Sequence, residues 1–234
     1  SSPKTHIGAA LLAMNAMSNP HGELDEILVN TVATAKNIGG NFIPLDFDKA
    51  NALDATLVKV KISNGYCNIL GCGDAVVVFD FLNGDKIIRD YSFPSGYPRY
   101  LSYDLSVARA SVVDGINGTR GLKFEEQCHD AEGNPKQYTE GFVNTWKWKE
   151  RFHCENDLKC ITIFSDGVHS FSKNVSSGTS KMEEKIPMLE IVKNLTAFKS
   201  CAGEFVKRRF NRFMKDCQEN NISHHDDVSV ASIY

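Results

Sequence analysis

The chain has 234 residues, 42% hydrophobic and 24% charged, a globular composition with enough length for a real core. A net charge of −3 gives no bulk attraction to nucleic acid or an anionic membrane, and no apolar run approaches the ~18 residues a membrane span requires. Seven cysteines, an odd number set largely in apolar segments, fit reduced core thiols in a cytoplasmic protein better than a disulfide framework.

The sequence opens on Ser1, Ser2 and Pro3 immediately before a helix, which reads as the start of a fragment or of a processed product. Residues 7–17 are small and apolar and predict a helix, ended by the breaker string at 18–22. Residues 23–38 predict a second, with Leu24, Ile27, Leu28, Val32 and Ala35 at helical spacing and Gly39-Gly40 closing it. Along 55–63, Thr56, Val58, Val60 and Ile62 alternate with polar residues, the pattern of a half-buried strand. Asn64-Gly65 is a strong hairpin signal; the runs at 66–72, 75–82 and, past Asn83-Gly84, 86–93 extend it into an antiparallel meander.

Residues 92–138 read as an irregular excursion with a polar turn at 127–136. Residues 142–152 predict one strand, with Phe142, Asn144, Trp146 and Trp148 on one side, and 160–164 a buried strand. A polar loop at 172–185 precedes helices at 187–195 and 200–218, the second striped by Phe205, Val206, Phe210, Phe213, Met214 and Cys217. The basic run 207–212 alternates with apolar positions there, as a solvated helix face does. A strand at 228–234 closes the chain. Helices, then sheet, then helices and a last strand argue for a single α+β domain over 1–234, helices packed on antiparallel sheet.

The buried run at 161–164 ends on Ser165 and Asp166, and Gly167 follows. Asp-Gly after a strand is ordinarily a turn, so a second acid in the same setting is needed to suggest chemistry. Asp226 and Asp227 stand at the start of the closing strand. If the two strands are antiparallel neighbours, these ends meet at one rim. Carboxylates that close repel and raise a pKa. A divalent cation reverses the repulsion, and an oxygen-only set favours magnesium or manganese over zinc.

Other constellations are weaker. Cys128-His129 and His153-Cys154 have no zinc-module spacing. Ser165 lacks a nucleophile elbow, and no glycine-rich phosphate loop precedes a helix. His169, His224 and His225 lie beside the acids, in turns where solvent exposure is the ordinary role.

In chain order, the segments at 55–60, 71–79, 164–167 and 226–230 resemble the motifs of the metal-dependent protein phosphatases, the PPM or type 2C family, over a span from about residue 5 to the end. The resemblance implies an α-β-β-α sandwich, two packed antiparallel sheets flanked by helices. It also implies two Mn²⁺ or Mg²⁺ ions at one edge, and a metal-bridged water that hydrolyses phosphoserine or phosphothreonine on a protein partner. It assigns Asp166 and Asp226 as metal ligands, with Asp227, where the family usually has Asn, and Gly167 as secondary positions. Asp74 matches a family acid read as structural, capping a hairpin. Asp104 and Asp114 are candidates for a third ion. The family's first Asp-Gly metal motif and the strand before it, with its phosphate-binding Arg, do not precede the first helix here, so the implied domain is N-terminally incomplete. A second reading follows from that difference: a catalytically inactive pseudophosphatase serving as a binding or regulatory module.

Overall fold

Helices α1 (Pro3–Ser18) and α2 (Leu24–Ile38) pack as an antiparallel pair, joined by a tight turn in which the Gly22 N–H donates to the Asn19 carbonyl at 3.1 Å. Asp25 and Glu26 in the first turn of α2 and Lys36 in its last complement the helix dipole. The computed structural model describes residues 3–38, 53–118, 121–143, 145–154, 157–177 and 180–234; the expected Gly39-Gly40 stop lies outside them.

Beyond the helical pair, β1 (Leu57–Ser63) and β2 (Tyr66–Cys72) form the expected hairpin, Ser63 opposite Tyr66. Asn64 and Gly65 both take positive φ, 52° and 74°, as a two-residue hairpin with the twist of its strands demands. Ile62, at the hairpin end, is largely exposed, while Val58 and Val60 pack inward.

The expected meander stops here. β2 pairs with β7 (Lys147–His153), and β3 (Ala75–Phe81) belongs to a different sheet of order β12-β8-β3-β4-β5-β6. The chain changes sheets at Gly73-Asp74, where Gly73 has φ 84° and a Cβ would come within 2.6 Å of Thr56 Oγ1. Only glycine makes that corner without strain.

β3 turns through Asn83-Gly84 into β4 (Lys86–Ser92) as expected. The stretch 92–138, expected to be irregular, holds a 3-10 turn at Leu101–Leu105, α3 (Val107–Asn117), β5 (Leu122–His129) and the start of β6 (Pro135–Val143). Ser106 caps α3, its hydroxyl accepting from the Arg109 N–H at 3.2 Å. The β6 residues are exposed on both faces for most of their length, so no alternation marks them in sequence.

The single strand expected at 142–152 is in fact two. β6 ends at Val143 in the large sheet, and β7 starts at Lys147 in the small one. Phe142 is exposed, whereas Trp148 is buried and stacked on Tyr91 at 3.9 Å. Asn144 lies outside the described residues.

β8 (Leu158–Ser165) is the expected buried strand. The polar loop expected at 172–185 is a hairpin, β9 (Phe171–Ser177) and β10 (Ser180–Lys185), joined by β11 (Ile222–His224) into a third sheet. α4 (Met188–Thr196), α5 (Phe205–Glu219) and β12 (Val230–Ile233) complete the chain, α5 starting later than expected because 200–204 is irregular.

Three apolar clusters order the layers. α1 and α2 bury Leu12, Ile27 and Leu28 against Leu57 and Cys72 of the small sheet. Cys67, Ile69 and Trp148 of that sheet meet Val77, Tyr91 and Ile161 of the large one. On the opposite face of the large sheet, Val76, Val78, Ile88 and Phe164 pack under Ile191, Val192, Leu195, Phe213 and Cys217 of α4 and α5. The protein is thus α+β, with helices on antiparallel sheets. No helix among the described residues is long and apolar enough to cross a membrane.

Candidate functional site

β8 and β12 are antiparallel neighbours, with Val230 opposite Phe164, so the end of one and the start of the other share a rim. Ser165 clasps them together. Its N–H donates to the Ser229 carbonyl at 3.1 Å, and its hydroxyl donates to the Asp227 carbonyl at 3.0 Å while accepting from the Ser229 N–H at 2.9 Å. Gly167 follows because nothing larger fits: a Cβ would lie 2.3 Å from the Asp227 carbonyl oxygen.

Asp166 opens the 3-10 turn Asp166–His169 with its carboxyl half-buried. Burial pushes that carboxyl above the ordinary carboxylate range, and the Asp226 charge adds to the shift. Two acids far apart in sequence therefore feel each other here. Asp226 is exposed; its Oδ1 accepts the Asp227 N–H at 2.8 Å, and its carbonyl lies 2.8 Å from His224 Nδ1. Asp227 is exposed too and lies 3.6 Å from His6 Nε2, which ties the start of α1 to the rim. The Gly167 carbonyl already accepts from the Ser170 N–H at 3.0 Å and its hydroxyl at 2.7 Å.

Asp74 joins this group from the corner between the sheets. Its Oδ1 accepts the Phe93 N–H at 3.0 Å. It is hydrogen-bonded, as the sequence suggests, but it caps a sheet crossover and not a hairpin. Burial pushes its carboxyl up to about 7, with Asp166 and Asp90 adding their charge.

Sequence reasoning missed the Asp90–His169 pair. Asp90 Oδ2 lies 3.0 Å from His169 Nε2, and that contact, ahead of the opposing effect of burial, raises the imidazole above its usual range. The resulting positive charge steadies Asp166 in turn. The signal in sequence is slight, an acid in β4 two residues beyond the buried Ile88 and on the same face. Tyr100 was missed as well. Burial raises its phenol, and the Asp166 charge raises it further.

Other candidates lie elsewhere. Asp104 and Asp114 hold Arg99 at 3.3 and 2.8 Å, and Asp104 also holds Lys147 at 2.8 Å. His129 is buried near the Gly133 carbonyl, and His153 sits edge-on to Tyr66, in different sheets. All seven cysteines are free thiols. Among the described residues no group of three or more His, Cys, Asp or Glu side chains converges as a metal site.

Comparisons of this chain with protein-family models, curated proteins and solved structures give no match.

Proposed function

We propose that the rim acids serve a metal-dependent phosphatase of the type 2C kind, acting on phosphoserine and phosphothreonine in proteins. The observation that carries this reading is the antiparallel pairing of β8 with β12, which sets Asp166 and Asp226 at one rim, near enough for the Asp226 charge to raise Asp166. Burying a carboxyl beside a second carboxylate is costly, and a hard cation shared between them removes the cost. The layer order, with helices outside two facing sheets, agrees with what the resemblance implies and adds the small β9–β11 sheet to it.

The donors fit such an ion. Magnesium is commonly held by one or two carboxylates with waters in its other positions. Asp166 and Asp226 would hold such an ion. When bound, the ion supplies Lewis-acid polarisation of a phosphoryl oxygen. The chain's own residues set the site. Ser165 and Gly167 keep the two strand ends in contact through the Asp227 carbonyl. Asp90 favours the protonated form of His169 beside Asp166, where an anionic substrate would meet it.

Release of phosphate from a phosphoserine peptide in the presence of Mn²⁺ tests the reading. Turnover by the parent protein is expected, with a loss of about 100-fold or more in Asp166→Asn. An Asp166→Asn variant as active as the parent would remove the assignment.

A further inference from the structure

The outward face of the small sheet carries cations on a three-strand grid. Antiparallel partners share a face, and the register sets Lys59, Leu70 and Lys149 in one row and Lys61, Asn68 and Arg151 in the next. The alternate residues Val58, Val60, Cys67, Ile69, Trp148 and Phe152 point into the core between the sheets. Pro20, His21 and Glu23 of the α1–α2 turn wall one side, leaving a cleft of about 230 Å³.

Each cation has a distinct setting. Lys59 forms the floor, donating to the carbonyls of Asn19 at 2.7 Å and Gly22 at 2.9 Å. Lys149 pairs with Glu23 at 2.9 Å. Lys61 Nζ meets His21 Nδ1 at 2.9 Å, and the Arg151 guanidinium lies over the Tyr66 ring at 4.0 Å. Among the described residues, Lys61 and Arg151 have no carboxylate within ion-pair reach.

Adjacent strands lie about 4.8 Å apart, so β1 and β7 stand about 10 Å apart across β2, and long side chains from both reach one anionic group above Asn68. Like charges crowded on one face repel and cost stability. A chain of net charge −3 has acids to intersperse, yet puts none between Lys61 and Arg151.

We propose that this face docks an acidic segment of a polypeptide. Lys61, Arg151 and the Asn68 amide take one carboxylate of that segment. Spaced acidic side chains avoid Glu23, which borders the cleft and would repel the continuous charge of a nucleic acid. The face runs along the strands toward the Asn64-Gly65 end, away from the Gly73-Asp74 corner, and needs no metal.

The test is fluorescence anisotropy with the full chain and three labelled probes: an oligoglutamate peptide, a phosphoserine peptide and a single-stranded oligonucleotide of equal charge. Salt-sensitive binding of the oligoglutamate peptide is expected, tighter than that of the phosphoserine peptide. Lys61→Gln with Arg151→Gln should weaken it about ten-fold or more, since a charge-assisted hydrogen bond is worth ~1.5–3 kcal/mol. Lys207→Gln with Arg212→Gln on α5 should leave it unchanged. Chemical acetylation of the parent gives a second measurement, with Lys61 protected when peptide is bound. No oligoglutamate binding by the parent, equal loss in the α5 control, unprotected Lys61, or a phosphoserine peptide or oligonucleotide bound about ten-fold tighter than oligoglutamate would overturn the proposal.

Discussion

Asp74 sits where the chain leaves one sheet for the other, with the Phe93 N–H on one oxygen and a carboxyl pushed up to about 7. Its unfolded value is about 3.9, so between those limits the folded protein holds a proton that the unfolded chain releases. Stability from this group is fully present below about pH 4 and is lost as pH rises through about 7. Asp74→Asn keeps the acceptor oxygen and removes the titration. In metal-free protein, urea unfolding at pH 5 and pH 8 should show a smaller loss between the two for the variant, and higher stability than the parent at pH 8. An identical loss in both proteins would mean the carboxyl is not buried as described. His169 is also raised, so the stability it contributes is complete below about 6.5 and disappears as pH climbs through its folded value. Its imidazole NMR titration should have a midpoint above 6.5 that falls in Asp90→Asn; an unmoved midpoint would dissolve the pair. Asp166 and Asp226 were legible in sequence because each ends or begins an apolar run. The Asp90–His169 pair was not, because β4 and the 3-10 turn meet only through the register of β3 with both β4 and β8.

Elements carry their own tests. Gly167 lies against the Asp227 carbonyl, so Gly167→Ala must push the β8 and β12 ends apart, at a cost of about 1–3 kcal/mol for overpacking. The same separation should weaken cation binding even though no carboxylate is altered. A variant with parental stability and parental Mn²⁺ affinity would show that the clasp is unimportant. Leu195 on α4 is 2% exposed beneath the large sheet. Leu195→Ala should cost about 2–5 kcal/mol in urea unfolding, and Leu195→Asp should prevent folding; a loss below about 1 kcal/mol for Ala would contradict its place in the core. Elements with a clear period, α2, β1, β8 and α5, were readable. β9 and β10 were not, because their serine- and lysine-rich strands carry too few apolar residues for a pattern. The 142–152 error has another cause: residues on two strands of different sheets happen to alternate in phase across the break.

At the scale of the whole molecule, the class α+β followed from the order of helical and strand periods, whereas the division into sheets did not. Hairpin signals report which strands are sequential, and they are silent at a corner such as Gly73-Asp74, where the next strand joins the facing sheet. Asp74 at that corner feels the Asp166 charge from the β8–β12 rim, and Asp227 at the same rim lies 3.6 Å from His6 of α1. Burial and neighbouring carboxylate charge hold Asp74 and Asp166 above the usual carboxylate range, a cost that the proposed cation would relieve. Titration of the purified chain with Mn²⁺, read by the electron paramagnetic resonance of the free ion, tests this most directly. Saturable uptake by the parent, weakened about ten-fold or more (~1.4 kcal/mol) in Asp166→Asn and in Asp226→Asn, is the result a shared ion requires. A parent that leaves the free-ion signal untouched, or two variants that bind as it does, would contradict it.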